Sequence, residues 1–280
     1  MRASFYSSKC REPVLIEILH PELPARAQGP FTVITLNMAG SSSAQRILDE
    51  FERLRIFSEA DVVFLQEVVH SEEGASVLKT LVDRLQLHAA FATATEPVLD
   101  GKLEGIAILS RRRIYDLQAF DLNRFGLHLR SRCRLALAAT VETPFGAPVR
   151  VFGVHLDTRI NAGERIAQVL PVVEAAERFE GAAIIGGDFN TNDVYWVRHL
   201  LPLPYLHNQR RALRAFLRQR GFSTPMNGEP PTFEHFGFGL DWIFTRSLSA
   251  SQWGVEPISF SDHRAVWMRI AEGEEAAIAP

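Results

Sequence analysis

Six short apolar runs in this chain are each bounded at one end by a polar residue of a kind that catalysis uses. That repetition constrains the fold more than any single motif. Val33-Ile34-Thr35-Leu36 stops at Asn37, Val62-Val63-Phe64-Leu65 at Gln66-Glu67, and Val151-Phe152-Gly153-Val154 at His155. Ala182-Ala183-Ile184-Ile185 runs into Gly186-Gly187-Asp188-Phe189-Asn190. Leu240 precedes Asp241 before Trp242-Ile243-Phe244, and Ser261-Asp262-His263 precedes Ala265-Val266-Trp267. Apolar runs of this length, bounded by turn residues, read as strands. Strands packed side by side deliver their ends to a common edge, so a sheet with one polar edge is expected. At the fourth run the two glycines permit a tight turn that sets Asp188 close to Asn190.

Between the strands the periodicity changes. Ile47, Leu48, Phe51 and Leu54 recur at helical spacing within a helix expected over residues 44–57, and Val77, Leu78, Leu81 and Leu85 outline a second. From Gly105 onward strands follow closely on one another: Ile106 to Leu109 ending at Ser110, an alternating run from Cys133 to Ala139, and Val149 to His155. Such short connections imply hairpins and some antiparallel pairing. Ile166, Val169, Leu170 and Val173 then predict a helix with a kink at Pro171. Residues 191–239 form the largest interruption, with one helical face at Ala212, Leu213, Phe216 and Leu217. A last strand is expected from His263 to Ile270. No fixed-period repeat and no linker divides the chain. One α/β domain over residues 31–270 is expected, preceded by an N-terminal extension (1–30) containing Val14-Leu15-Ile16 as a candidate strand, and followed by a tail (271–280).

Composition narrows the class. The 280 residues are 46% hydrophobic and 22% charged, which supports a sizeable core and excludes wholesale disorder. A formal charge of -3 argues against indiscriminate attraction to nucleic acid while leaving room for a local basic groove. Cys10 and Cys133 supply neither a disulfide framework nor a thiolate metal site, and Cys133 reads as a packed strand residue. No apolar segment is long enough to span a bilayer, and the start lacks the apolar core of a secretory signal. A cytoplasmic monomer is the default expectation, with peripheral membrane contact an open alternative.

The pieces TLNMAG, FLQEV, GIAILS, GVHLDTR, GGDFN, LDWIF and SDHRAV, in that order, resemble the endonuclease/exonuclease/phosphatase superfamily of DNase I-like metal-dependent phosphoesterases. The resemblance covers residues 31–270. It implies a four-layer α/β/β/α sandwich, two mixed β-sheets flanked by helices, with the active site across one end. It implies Mg²⁺, with Mn²⁺ as a substitute, held by Glu67 with Asn37 beside it and Asp262 as a further carboxylate. It also assigns Asp188 to the attacking water, Asn190 to the phosphate beside it, and His155 and His263 to the phosphoryl oxygens, with Asp241 orienting His263. Abasic-site endonucleases of this superfamily carry an acid where this chain has Ala39.

The residues themselves agree with that chemistry. Glu67 and Asp262 offer the hard oxygens that Mg²⁺ prefers, and a phosphodiester needs charge stabilisation and an in-line nucleophile. No motif nominates a covalent Ser or Cys nucleophile, so direct water attack is expected. Arg134, at the start of a strand, is a weaker candidate for substrate phosphate. All but three of the 30 basic residues are arginine, the exceptions being Lys9, Lys79 and Lys102. Arg198, Arg210, Arg211, Arg214, Arg218 and Arg220 form a basic stretch with no acid or Lys from 198 through 220. Overhanging the active site it would suit a DNA or RNA backbone; on an outer helix its arginines would face solvent or pair with acids elsewhere. The neighbouring Tyr195-Trp196-Val197 and Leu200 to Leu206 keep a neutral sphingomyelinase-like phospholipid diesterase as an alternative. A non-catalytic phosphate- or partner-binding module is the remaining one.

Overall fold

The computed structural model describes residues 13–19, 30–70, 76–93, 103–125, 127, 133–204 and 208–272. In chain order its strands begin with β1 (Val14–Ile18), β2 (Phe31–Asn37), β3 (Val62–His70), β4 (His88–Thr93) and β5 (Leu103–Ser110). They continue with β6 (Ile114–Asp121), β7 (Leu135–Val141), β8 (Val149–His155) and β9 (Ala182–Asp188). The last are β10 (Val194–Val197), β11 (Leu201–Pro204), β12 (Asp241–Arg246), β13 (Leu248–Glu256) and β14 (Ala265–Glu272). The helices are α1 (Ala44–Arg53), α2 (Arg55–Glu59), α3 (Val77–Leu85), α4 (Ala162–Arg178) and α5 (Gln209–Gln219). None is long and apolar enough to cross a membrane.

One sheet has seven strands in the order β1-β4-β5-β3-β2-β14-β13, and a second has five in the order β12-β9-β8-β7-β6. Both are mixed. Strands β2 and β3 are parallel, as are β8 and β9, and their other neighbours run antiparallel. The expected sandwich is therefore observed.

Alternation assigns each strand's two faces to different layers. In β2, Phe31 and Val33 face the core between the sheets, while Ile34 and Leu36 pack with Ile47, Phe51 and Leu78 under α1 and α3. Strands β2 and β3 are thus covered on both sides, and both read as continuous apolar runs. On the far side of the second sheet, Val169, Val173, Leu213 and Leu217 of α4 and α5 close the fourth layer. The sheets approach closely at Gly186, where an added Cβ would overlap the Phe64 ring. An added Cβ at Gly187 would overlap the Val154 carbonyl of the neighbouring strand. The tight turn expected at these glycines is therefore not formed there: both lie within β9, where they admit close packing, and the chain turns at Asn190.

Several expectations are corrected. The helix foreseen over 44–57 breaks at Leu54, whose extended backbone (φ -95, ψ 103) ends α1 and starts α2. The break lets Phe51 and Phe57 stack with ring centroids 3.9 Å apart in the same core. Strands β4, β6 and β13 carried no clear alternation in the sequence, because β4 is alanine-rich and β6 and β13 are half-exposed outer strands. The interruption at 191–239 contains the β10–β11 hairpin as well as α5. Helix α4 continues through Pro171, and the last strand begins at Ala265 rather than His263. Cys133 packs against the inter-sheet core, as expected, but as a disulfide-bonded residue rather than a free thiol; Cys10 lies outside the described residues.

Candidate active site

Strand register brings the polar ends together. Asn37 pairs with Gln66 across β2 and β3, which places Glu67 one residue past the pairing. On the second sheet Asp188 lies opposite His155 of β8 and opposite Asp241 of β12. Side chains then close the gap between the sheets. Asn37 Nδ2 donates to Asp188 Oδ2 at 3.0 Å and to Glu67 Oε1 at 3.4 Å. His155 Nε2 lies 3.5 Å from Asp188 Oδ2 and 3.9 Å from Glu67 Oε1.

Glu67 is aimed into this cleft by its backbone. The β3–β5 register slips between Leu65 and Val68, and Glu67 at that bulge takes φ 54, a conformation uncommon for residues other than glycine. Asn190 also sits at positive φ (51), which an asparagine tolerates more easily. Its backbone N–H donates to Asp188 Oδ1 at 2.8 Å and its amide to Asp188 Oδ2 at 3.2 Å. The second Asn190 amide contact, to the Leu156 carbonyl at 2.9 Å, ties this turn to the end of β8.

His263 enters from the segment before β14. Its Nδ1 is 2.9 Å from Asp241 Oδ2, and Ser261 fixes the segment by donating from Oγ to the Asn37 carbonyl (2.7 Å) while accepting the His263 N–H (3.0 Å). Burial opposes a charged imidazole, but the Asp241 carboxylate, its hydrogen bond, and then Asp188 and Asp262 outweigh it and push His263 up to about 10. For Asp188, burial and the neighbouring Asp241 raise the carboxyl to about 7, against His263 and the donors Asn37 and Asn190.

Arg134 is drawn into the cluster. Its Nε donates to Asp157 Oδ1 at 3.1 Å, and its guanidinium nitrogen lies 3.0 Å from both ring nitrogens of His155. Equal distances to both nitrogens place it over the imidazole face, a stacking contact rather than two in-plane hydrogen bonds. Gln168 secures Asp157 by accepting its N–H and donating to its Oδ2. Behind it Arg165 is fully buried and donates to the carbonyls of Asp157, Ile160 and Phe189 and to Gln209 Oε1. Burial pulls its guanidinium down to about 9 despite Asp188 and Asp157.

Of the nominated residues, Asn37, Glu67, His155, Asp188, Asn190, Asp241, His263 and Arg134 therefore share one cleft. Asp262 is placed less directly: its carbonyl accepts from Glu234 N, and its carboxylate acts on His263 through charge. The structure adds Ser261 and Thr232, whose Oγ1 accepts the N–H groups of Leu240 and Asp241. It also adds Phe233, with its ring centroid 5.1 Å from that of His263. Ser261 has no assigned role within SDHRAV, and Thr232 and Phe233 do not stand out in the sequence, because Thr and Phe at loop positions carry no periodic signal.

Asp188, Asp241 and His263 each offer a ligand atom within 4.8 Å of the others and could hold a divalent cation. Asp241 Oδ1 is buried without a hydrogen-bond partner among the described residues, an unspent oxygen consistent with a cation nearby. Oxygen donors from Glu67, Asp188 and Asp241, with no thiolate, fit a hard ion. Asn37 fits less well as a ligand: its Oδ1 accepts the Ala39 N–H at 2.9 Å, which turns its amide nitrogen toward the carboxylates.

A sequence profile of the Endonuclease/Exonuclease/phosphatase family matches residues 34–263. No curated protein matches the chain. Among solved structures, an endonuclease/exonuclease/phosphatase from Beutenbergia cavernae DSM 12333 is similar over 87% of this chain and 72% of its own, with 18% identity and a TM-score of 0.67. A family protein from Leptotrichia buccalis C-1013-b shares 16% identity over 86% of this chain and 99% of its own, with a TM-score of 0.65. The human Nocturnin catalytic domain with bound sulfate gives 17%, 93%, 97% and 0.65 for the same quantities. At these identities the likeness is one of fold.

Proposed function

This chain belongs to the Endonuclease/Exonuclease/phosphatase family, and from that premise we propose that it hydrolyses phosphodiesters of nucleic acid by direct attack of water. The observation that carries the proposal is the meeting of Asn37, Glu67, His155 and Asp188 across two sheets, with the Asp241–His263 pair alongside. Asp188, held by three hydrogen bonds, orients the water and accepts its proton. Asn190 keeps that carboxylate in place and presents its amide edge to the phosphate. His155 and the protonated His263 face the phosphoryl oxygens, where charge grows in the transition state. Asp241 fixes the ring of His263 and favours its cationic form. Arg134 holds His155 from the opposite face.

Glu67 is the principal ligand assigned to a magnesium ion, Asp262 the further carboxylate, and Asn37 a donor that orients Glu67 and Asp188. When bound, the ion supplies positive charge to the phosphate oxygens, and manganese is the expected substitute.

Nucleic acid is favoured by the aromatic loop beside His263. Phe236 is 71% exposed and stacked between Phe233 and Phe238, a surface on which a base can lie. One observation favours a second substrate, a phospholipid: the β10–β11 hairpin exposes Tyr195, Leu200 and Leu201. A panel of abasic DNA, 3'- and 5'-blocked DNA, RNA, sphingomyelin and phosphomonoesters separates the two. Nucleic-acid cleavage lost in Asp188→Ala and His263→Ala is expected; strong preference for sphingomyelin, or release from monoesters alone, would overturn the proposal.

A further inference from the structure

Three arginines of α5 take no part in the site described above. Arg211, Arg214 and Arg218 follow one another at helical spacing along one side, while Leu213 and Leu217 bury the opposite side in the core. Together with Ser223, Thr224 and Phe244 they line a cavity of about 370 Å³. No guanidinium of the three has an ion-pair or hydrogen-bond partner among the described residues.

Their neighbours behave otherwise. Arg210 pairs with Asp193 and Glu229, and Arg220 pairs with Glu177. The helix thus neutralises the arginines at its two ends and leaves the three between them facing an open cavity. In a chain of net charge -3, that is a concentration of positive charge without an internal counter-ion.

The cavity is separate from the catalytic cleft. Phe244 lies three residues beyond Asp241 on β12, about 10 Å at the rise of a strand. Its side chain points to the helical side of the sheet, with Trp242 and away from Ile243. Ser223 and Thr245 pair along the free edge of the same strand. Seven residues of α-helix separate Arg211 from Arg218, which spreads the charges over about 10 Å. A row of that length exceeds a single phosphate and suits successive phosphates of one strand. The Thr224 hydroxyl, which accepts the Met226 N–H, adds a donor to the same lining.

We propose that this cavity binds backbone phosphates of a nucleic-acid strand away from the bond being cleaved. The proposal rests on the nucleic-acid diesterase reading above, and the test separates the two. Binding of a short end-labelled single-stranded oligonucleotide is followed by fluorescence anisotropy against salt, with full-length Asp188→Ala protein to prevent cleavage. Replacing all three arginines by glutamine is expected to weaken binding at least tenfold and to lower the salt slope by about 2, at about 0.7 for each lost phosphate contact. The triple lysine variant keeps the charge and is expected to retain the slope, which controls for folding. With Asp188 intact, the glutamine variant is expected to hydrolyse bis(p-nitrophenyl) phosphate at the parent rate.

An unchanged slope and affinity in the glutamine variant would overturn the proposal. So would a site that takes inorganic phosphate or anionic phosphatidylserine vesicles through these arginines while oligonucleotide binding is indifferent to them. Absence of any oligonucleotide or bis(p-nitrophenyl) phosphate hydrolysis by the protein with Asp188 intact, by contrast, would overturn the diesterase reading and leave the anisotropy result standing.

Discussion

His263 Nδ1 sits 2.9 Å from Asp241 Oδ2, with both residues buried and the second oxygen of the same carboxylate left without a partner. The pair sets the charge of the ring. In the metal-free protein His263 is expected to stay protonated through neutral pH and to lose its proton near pH 10. A raised histidine contributes stability that is fully present below its unfolded value, about 6.5, and is lost as pH rises through the folded one. Ring-carbon NMR shifts followed against pH should show this, and Asp241→Asn should move the midpoint down by several units. A midpoint that stays put in the variant would remove Asp241 from its orienting role.

Three donors are aimed at Asp188, one from the Asn37 side chain and two from the Asn190 backbone and side chain. Replacing it with Asn keeps the size and removes the proton acceptor. Hydrolysis is expected to fall roughly 10³-fold or more, mainly in kcat, with the thermal midpoint close to the parent value. A loss confined to KM would instead make Asp188 a binding residue.

Glu67→Gln tests the metal assignment without a change of shape. The magnesium concentration giving half-maximal activity should rise roughly 10- to 100-fold, and chelation of the parent protein should abolish turnover, restored by magnesium or manganese. Activity that survives exhaustive chelation would refute metal-assisted hydrolysis altogether.

How much of this was legible depended on what each residue asks of the backbone. Asn37, His155 and Asp188 end, and Asp241 begins, strands that read plainly in the sequence as short apolar runs, and register alone then makes neighbours of His155, Asp188 and Asp241. Glu67 was legible as a type and hidden as a geometry, since no pattern announces that its backbone turns to φ 54 at a bulge. Phe233 reaches His263 by folding of the loop before β12, where sequence distance says nothing of contact. Helix α1 read as one long helix because Leu54 keeps the apolar spacing while its backbone leaves it. Edge strands β6 and β13 lacked alternation because neither face is fully covered.

Helix α1 also clasps the segment that carries His263. Glu50 accepts from the N–H and Oγ of Ser259, and Arg53 and Arg46 donate to the carbonyls of Pro257 and Ser259. Arg53 foremost, against the cost of burial, draws the Glu50 carboxyl down to about 2. A carboxylate so depressed contributes stability that is complete above its unfolded value of about 4.3, and that contribution is lost as pH falls through the folded value. Arg53 is largely exposed, so solvent screens its part of this contribution. Glu50→Gln is expected to lower the thermal midpoint at pH 7 and to flatten its decline between pH 5 and 2. Parallel pH profiles in the two proteins would show that Glu50 carries no such linkage.

The close approach of the sheets at Gly186 gives the last prediction. Gly186 stands where a Cβ would overlap the Phe64 ring, and Phe64 is itself fully buried in the inter-sheet core. Gly186→Ala is therefore expected to destabilise the fold by about 1–3 kcal/mol, the range for overpacking a filled core. Phe64→Leu alone should also destabilise, by leaving a void. Combined, the two changes relieve each other, so the double variant should be more stable than the sum of the single losses predicts. Urea denaturation of the four proteins measures the coupling directly. Strict additivity would mean that the sheets separate at Gly186 to admit the methyl group. Aspartate and histidine at the ends of β9 and β8 would then shift with them, and the activity of Gly186→Ala should fall along with its stability.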